Sequence, residues 1–129
     1  MSYSSANLGD LPFTERPYRP QDEPRHVASL TEALGLESSR ASIWRYPPGV
    51  RGRRHREGAQ EEVFACLEGT ITLALGEPPE MVEIPAGGFA RVSTDTEIQV
   101  RNEGDADAVV LAWGAPAVTG EAEILDDLP

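Results

Sequence analysis

Three side chains that could bind a metal ion or transfer a proton lie close together in the sequence: His55, Glu57 and Glu62. Alternate residues of a β-strand point to the same face, so His55 and Glu57 can share a face with their Cα atoms about 6.6 Å apart. Glu62 follows a short turn and can face them from the next predicted strand. One imidazole and two carboxylates suit a divalent ion such as Zn, Mn, Fe or Ni.

The same residues have other interpretations when no metal is bound. His55 could act as a general base that Glu57 or Glu62 orients, and His55 and Glu62 are therefore the candidate catalytic residues. Alternatively, a protonated His55 pairs with one of the carboxylates, or Arg53 neutralises one of them. Two neighbouring carboxylates without a metal also raise the pKa of one of the pair.

Arginine residues surround this cluster at positions 51, 53, 54 and 56. Arg53 is expected to share the face of His55, where its planar guanidinium suits a carboxylate or a phosphate. Arg54 and Arg56 are expected to face outward. There, with Arg51, they would offset the acidic surface and discourage strands of other molecules from pairing with this edge. This second role also remains open for Arg53.

Length and composition limit the class of protein. The chain has 129 residues, enough for one domain with a single hydrophobic core, and a net charge of -11. That charge disfavours nucleic acids and anionic membranes as partners, because both would repel this acidic protein. The chain has no lysine, which excludes Schiff-base chemistry and a P-loop lysine.

Cysteine content and the N-terminal residues predict a cytoplasmic protein. Cys66 is the only cysteine, so no intrachain disulfide is expected and a reducing compartment fits. Residues 1–10 lack the basic and apolar regions of a signal peptide. The longest aliphatic run, residues 108–113, is far too short to span a bilayer.

The sequence divides into three parts. Residues 1–27 are polar, contain four prolines and predict an extended arm that lies across a neighbouring subunit or a sheet edge. Residues 28–116 predict a barrel, and residues 117–129 an acidic, solvated tail. Within the barrel region we expect a one-turn helix at residues 30–34, closed by Gly35. Eight short segments of β character separated by turn residues predict an all-β barrel or sandwich: 41–47, 53–57, 61–67, 70–75, 80–84, 89–93, 97–102 and 107–113.

Two spaced motifs carry a family resemblance. In the first, Gly49, His55, Glu62 and Gly69 fall at the spacing of the first cupin motif, with Glu57 in place of its second histidine. The second motif is eroded: its glycine and asparagine correspond to Gly87 and Asn102, and its other positions are Ser93, Asp95 and Ile98. Residues 41–116 therefore resemble the cupin superfamily, specifically its small single-domain conserved-barrel proteins.

The resemblance implies a fold, an oligomeric state and a metal site. Cupins are double-stranded β-helices, or jelly-roll barrels, and the resemblance implies this fold with an N-terminal arm, and a homodimer. The family's metal is typically held by three histidines and one glutamate. Only His55 and Glu62 are retained, Glu57 is a possible ligand, and Ile98 cannot be one, so the metal motif is degenerate.

The predicted interior contains the remaining candidate ligand-binding residues. Glu62, Phe64 and Cys66 recur at every second position and should point inward. Phe64, Ile98, Val100, Leu111 and Trp113 are expected to line the barrel, either as core or as the wall of a pocket. The predicted ligand-binding residues are Arg53, His55, Glu57, Glu62, Phe64, Cys66, Ile98 and Trp113.

Three functions are consistent with the sequence. The first is a small cupin that binds a small polar or acidic metabolite in the barrel, without a complete metal site. The second is a metal-dependent enzyme, such as an isomerase, a dioxygenase or a decarboxylase-like protein, that uses His55, Glu57 and Glu62. The third is a non-catalytic interaction or structural barrel with a filled interior. Fold alone does not decide among them.

Overall fold

The structure, a computed structural model, describes residues 1–117 and 122–129 and consists mainly of β-strands. A 3-10 turn lies at Leu8–Asp10, and α1 is Leu30–Leu34. The strands are β1 (Thr14–Arg16), β2 (Arg25–Ser29), β3 (Arg40–Tyr46), β4 (His55–Arg56), β5 (Glu61–Glu68), β6 (Thr70–Leu75), β7 (Glu80–Pro85), β8 (Phe89–Val92), β9 (Glu97–Arg101), β10 (Ala108–Ala115) and β11 (Glu123–Ile124).

The strands form two antiparallel sheets. Their orders are β1-β2-β3-β10-β5-β8 and β11-β4-β9-β6-β7. Neighbours in a sheet are often distant in sequence, since β10 pairs with β3 and β5, and β9 pairs with β4 and β6. This arrangement is a jelly-roll barrel and confirms the predicted double-stranded β-helix.

The hydrophobic core contains inward-facing side chains from both sheets. Ile71 and Leu73 of β6 are fully buried and belong to one cluster with Phe64, Ile98 and Val110. Ile71 and Leu73 are separated by one residue, so both project from the same face of β6. Burial of these apolar side chains is the main source of stabilisation.

Asn102 and Gly69, in two turns between the sheets, make contacts that few other residue types could make. Asn102 is buried between β9 and β10, where its Nδ2 donates to the carbonyl oxygens of Tyr46 and Ala106, both at 2.8 Å. Gly69 joins β5 to β6 with a φ of 70°. A Cβ at this position would lie 2.5 Å from the carbonyl oxygen of Asp107, so only glycine fits.

The predicted one-turn helix is confirmed. The side chain of Ser29 accepts a hydrogen bond from the backbone N–H of Glu32, and Gly35 ends the helix in the left-handed conformation. The strand predicted at residues 53–57 is shorter than expected and contains only His55 and Arg56. No helix in the described part of the chain is long and apolar enough to cross a membrane.

Both ends of the described chain add strands to the sheets. Within the predicted arm, β1 pairs with β2, and β2 continues the six-stranded sheet beside β3. Near the other end, β11 pairs with β4. The carboxylate of Asp127 accepts hydrogen bonds from Nη2 of Arg51 and Nε2 of Gln99, both at 2.8 Å. Arg25 and Ser29 of β2 and Ile124 of β11 thereby contribute to the wall of the barrel interior.

Candidate functional site

A cavity of about 640 Å³ lies between the two sheets. Five of the residues predicted to bind a ligand contribute to its wall: Arg53, His55, Glu57, Glu62 and Phe64. The strands β2, β3, β5 and β10 form one side of the cavity, and β4 with β11 forms another. The antiparallel barrel thus brings residues from both sheets to one space.

The cluster predicted from the sequence is assembled in this cavity. His55, Glu57 and Glu62 each place one ligand atom so that all three atoms lie within 4.8 Å of one another. Among the described residues, none forms an ion pair within 4.0 Å with Glu57 or Glu62. The alternative in which these carboxylates pair with His55 or Arg53 is therefore not observed among the described residues. The side chains are close enough to act on one ligand, yet they do not neutralise one another.

His55 has a defined orientation. Its Nδ1 lies 3.0 Å from the carbonyl oxygen of Arg53. Because a carbonyl oxygen only accepts hydrogen bonds, Nδ1 is the donor in this contact, and Nε2 is the ring nitrogen left to face a ligand. Histidines that bind metals commonly have this hydrogen bond on the other ring nitrogen.

The three residues fit a divalent ion in donor type. Atoms about 2.1 Å from a shared tetrahedral ion are about 3.4 Å apart, so binding would draw the side chains together. His55 pairs with Ile98 across β4 and β9, and Ile98 supplies no donor atom. An ion at this site would therefore complete its coordination with water or substrate atoms.

Glu62 has an unusual protonation equilibrium. Burial, and to a smaller extent the charge of Glu57, raises the pKa of Glu62 from 4.5 to about 7. The sequence predicted that two carboxylates would raise one pKa, but the larger cause is removal of the carboxyl group from water. Near neutral pH, Glu62 can therefore donate a hydrogen bond in one state and accept one in the other.

Arg25, which was not among the predicted ligand-binding residues, also contributes to the cavity wall. It is 7% exposed, and its guanidinium lies 4.6 Å from the centre of the Trp44 ring. Because Arg25 lies in the predicted arm, it was not expected to line the cavity. A β2–β3 pairing prediction could have revealed it, since Val27 faces Trp44 and brings Arg25 beside the aromatic side chains of β3.

Three predicted ligand-binding residues do not reach the cavity. Ile98 and Cys66 are 1% and 2% exposed and belong to the core. The Sγ atom of Cys66 lies 3.3 Å from the carbonyl oxygen of Glu68 and 3.5 Å from that of Gly69, which share its single S–H donor, and burial raises the pKa of the thiol. Trp113 is 38% exposed, because Ala112 and Gly114 beside it on β10 face the cavity. The expected inward orientation of Trp113 was wrong.

The arginines near His55 differ in their partners. Arg51 pairs with Asp127 at 2.8 Å, and Arg56 pairs with Glu97 at 2.9 Å. Arg54 was expected to face the solvent, but it is 8% exposed and pairs with Glu77 at 2.6 Å. Arg53 has no ion-pair partner within the described ranges. Of the four, only Arg53 lies in the cavity wall.

Solved structures with the same fold come from several bacteria. A predicted oxalate decarboxylase from Thermotoga maritima has a TM-score of 0.75 at 17% identity, covering 88% of this chain and 99% of that one. A sugar phosphate isomerase of the cupin superfamily from Silicibacter pomeroyi has a TM-score of 0.71 at 21% identity, covering 88% and 76%. The polyketide cyclase RemF from Streptomyces resistomycificus has a TM-score of 0.77 at 14% identity, covering 97% and 87%. At these identities the likeness shows the fold alone.

The family follows from the sequence itself. No match was found among the curated proteins with which the chain was compared. The family model described as "Cupin domain" matches residues 42–114, which is more than half of the 129 residues. This chain therefore belongs to the cupin family.

Proposed function

We propose that the barrel binds a small polar or acidic metabolite. The observation that carries this proposal is a cavity of about 640 Å³ that has guanidinium groups and the His55, Glu57 and Glu62 cluster on its wall. Small-molecule sites typically measure about 300–1,000 Å³ and combine apolar walls with a few polar groups. The cavity also argues against a barrel with a completely filled interior.

The wall offers complementary contacts for such a ligand. Arg53 is exposed to the cavity and has no acidic partner among the described residues, so its fork is free to bind an anion. Phe64 and Trp44 supply apolar surface. Glu62, whose pKa is about 7, suits a hydroxyl or another polar group that can donate or accept.

The names of two similar structures refer to small anionic compounds, oxalate and a sugar phosphate. The similarity to this chain concerns the fold, so those compounds are starting probes. The proposal depends on the cavity and not on the names.

Binding can be followed through Trp44, which lies in the cavity wall. The Trp113→Phe variant leaves Trp44 as the only tryptophan. We expect small organic acids, phosphate esters or neutral polyols to change its fluorescence in a saturable way. The substitution Ala112→Met, which narrows the cavity, should weaken that binding. Leu111→Met, at the neighbouring position outside the cavity lining, is the control. Equal binding by both variants would show that the ligand binds elsewhere.

A metal-dependent enzyme is the second candidate, favoured by the 4.8 Å cluster and the orientation of His55. When bound, a divalent ion would polarise a substrate oxygen. His55, Glu57 and Glu62 would hold it, and Arg53 would hold an anionic substrate nearby.

Metal binding can be measured by elemental mass spectrometry after titration with Mn, Fe, Zn or Ni and removal of free ions. We expect about one equivalent, lost in His55→Ala and Glu62→Gln. His26→Ala removes the other histidine, which lies on β2 outside the cavity lining, and should retain the metal. Retention of metal by His55→Ala would exclude this site.

A further inference from the structure

Arg25 and Arg54 are the two buried arginines of the described chain, and they differ in one respect. Both are more than nine-tenths buried. Nη2 of Arg54 lies 2.6 Å from a carboxylate oxygen of Glu77. No carboxylate of the described residues lies within 4.0 Å of Arg25. Arg25 is thus a buried cation without a described counter-ion, and it lies in the cavity wall.

Within residues 1–117 and 122–129, the partners of Arg25 are all neutral. Its Nε donates to the carbonyl oxygen of Arg16 at 3.2 Å, and its Nη1 donates to the Tyr46 hydroxyl at 3.4 Å. Its Cζ lies over the Trp44 ring, 4.6 Å from the ring centre, and 5.8 Å from the centre of the Tyr46 ring. A guanidinium has five N–H donors, so these contacts leave donors unused.

The positive charge of Arg25 cannot be removed by deprotonation. Arginine remains protonated in proteins, whereas a buried lysine or carboxyl group can become neutral. A buried charge without a partner costs free energy, and the cation–π contact offsets only part of that cost. An anion that entered the cavity would supply the missing partner.

The surrounding backbone fixes the arginine in place. A Cβ at Gly52 would lie 2.8 Å from Nη1 of Arg25 and 2.7 Å from the Tyr46 hydroxyl. Glycine therefore lets the backbone pack directly against the guanidinium. With Trp44 on its face, Arg25 is held in position before any ligand arrives, which reduces the entropy lost on binding.

We propose that Arg25 is the specificity-determining residue that recognises an anionic group, a carboxylate or a phosphate, on the ligand. The inference rests on the proposed function, because it names the ligand class of the same cavity. The ligand is then a small organic acid or phosphate ester. Its other polar groups face His55, Glu57 and Glu62. The planar fork of Arg25 matches two oxygens of either anion.

Isothermal titration calorimetry with paired probes tests this assignment. Glutarate is compared with glutaramide, and glycerol phosphate with glycerol, so that each pair differs mainly in the anionic group. Arg25→Gln should weaken binding of the preferred anion by about tenfold or more, and should leave the neutral analogue within about twofold. Arg25→Lys keeps the positive charge but not the planar guanidinium, so its affinity for the anion should lie between those of the wild type and Arg25→Gln. Arg91→Gln is the control, because it removes one positive charge from an exposed residue of β8.

The outcomes separate this inference from the proposal of ligand binding. An equal loss for anionic and neutral probes in Arg25→Gln would mean that Arg25 only supports the wall, and would overturn the inference. Unchanged anion binding in that variant would overturn it too, while the cavity proposal would stand. Binding of neither probe class by the wild-type protein would refute the cavity proposal, and this inference with it. If Arg25→Gln does not fold, the same comparison with Arg25→Lys decides, and a loss confined to anions supports the inference.

Discussion

Replacing Glu62 by glutamine should stabilise the metal-free protein more at high pH than at low pH. The pKa of Glu62 is about 7 in the folded protein and 4.5 for an unperturbed side chain. Between these values the folded state holds one more proton than the unfolded state, so stability falls as the pH rises. Above the folded pKa the full penalty of burying the carboxylate remains. Glutamine carries no charge and avoids that penalty.

The magnitude follows from the two pKa values. The full difference of about 2.5 units corresponds to about 3.4 kcal/mol. Between about pH 5.5 and pH 8, linkage predicts a change of about 2 kcal/mol, and partial solvent screening reduces it to about 1 kcal/mol. The lower pH lies above the isoelectric point of about 4.5, which limits precipitation. Comparing the two pH values also cancels any pH-independent packing effect of the amide.

Urea denaturation of chelator-treated protein measures this difference. We expect the free energy of unfolding of Glu62→Gln, relative to wild type, to increase by about 1–2 kcal/mol from the lower to the higher pH. Glu61→Gln is the matched control, since Glu61 is exposed and pairs with Arg91, and its effect should vary by less than about 0.5 kcal/mol. The same Glu62→Gln difference at both pH values, or a decrease, would refute the burial of a charged Glu62 as described.

Three further substitutions or reactions test the structure. Gly69→Ala should lower the free energy of unfolding by about 2 kcal/mol or more, because its Cβ would meet a backbone oxygen 2.5 Å away. Gly9→Ala is the control and should change the free energy of unfolding little, because a Cβ at Gly9 meets open space. Equal effects of the two substitutions in thermal denaturation would contradict the turn geometry. Asn102→Ala should lower the free energy of unfolding measured with urea by about 2–4 kcal/mol, because it leaves two carbonyl oxygens without their buried donor. Asn7→Ala is the control, because the Asn7 side chain makes no capping hydrogen bond. A loss in Asn102→Ala no larger than that in Asn7→Ala would count against the loop contacts. The buried Cys66 thiol should resist a disulfide reagent in native protein and react after denaturation, and rapid native reaction would show that the core is open.

The sequence could predict the strands because their side chains alternate. In β6, Ile71 and Leu73 point into the core, and turn residues bound the segment on both sides. The motif spacing also predicted that His55, Glu57 and Glu62 would meet. Those contacts depend on the short turn between β4 and β5, which are consecutive in the sequence although they lie in different sheets, and local sequence patterns describe such turns well.

The orientation of β10 could not be predicted in the same way. Val109 and Val110 are both fully or almost fully buried, so neither face of the strand is marked as polar. The large Trp113 was therefore placed inside, whereas the small Ala112 faces the cavity. A register shift between Val109 and Val110 opposite β5 further weakens an argument from alternation.

Arg25 was missed for a different physical reason. Its environment is created by Trp44 and Tyr46, which are about twenty residues away and reach it only through the pairing of β2 with β3. Nothing in the local sequence distinguishes this arginine from arginines whose side chains are exposed to solvent. Burial without a counter-ion is a tertiary property, so only the structure could reveal it.

Ile98 determines which chemistry the cluster around His55 can support. It stands where the cupin motif predicts a histidine, pairs with His55, and is 1% exposed in the core. The remaining donors include two carboxylates, so either a proton on Glu62 or a bound cation would lower the negative charge of the site. These two states compete, because the proton must leave before an ion can bind. An anionic ligand held by Arg25 is free of this competition, and a neutral Glu62 repels it less than a carboxylate would. Binding of an anionic ligand therefore requires neither loss of the Glu62 proton nor a bound ion, whereas metal-dependent catalysis requires both. This is the physical reason for ranking ligand binding as the first candidate function.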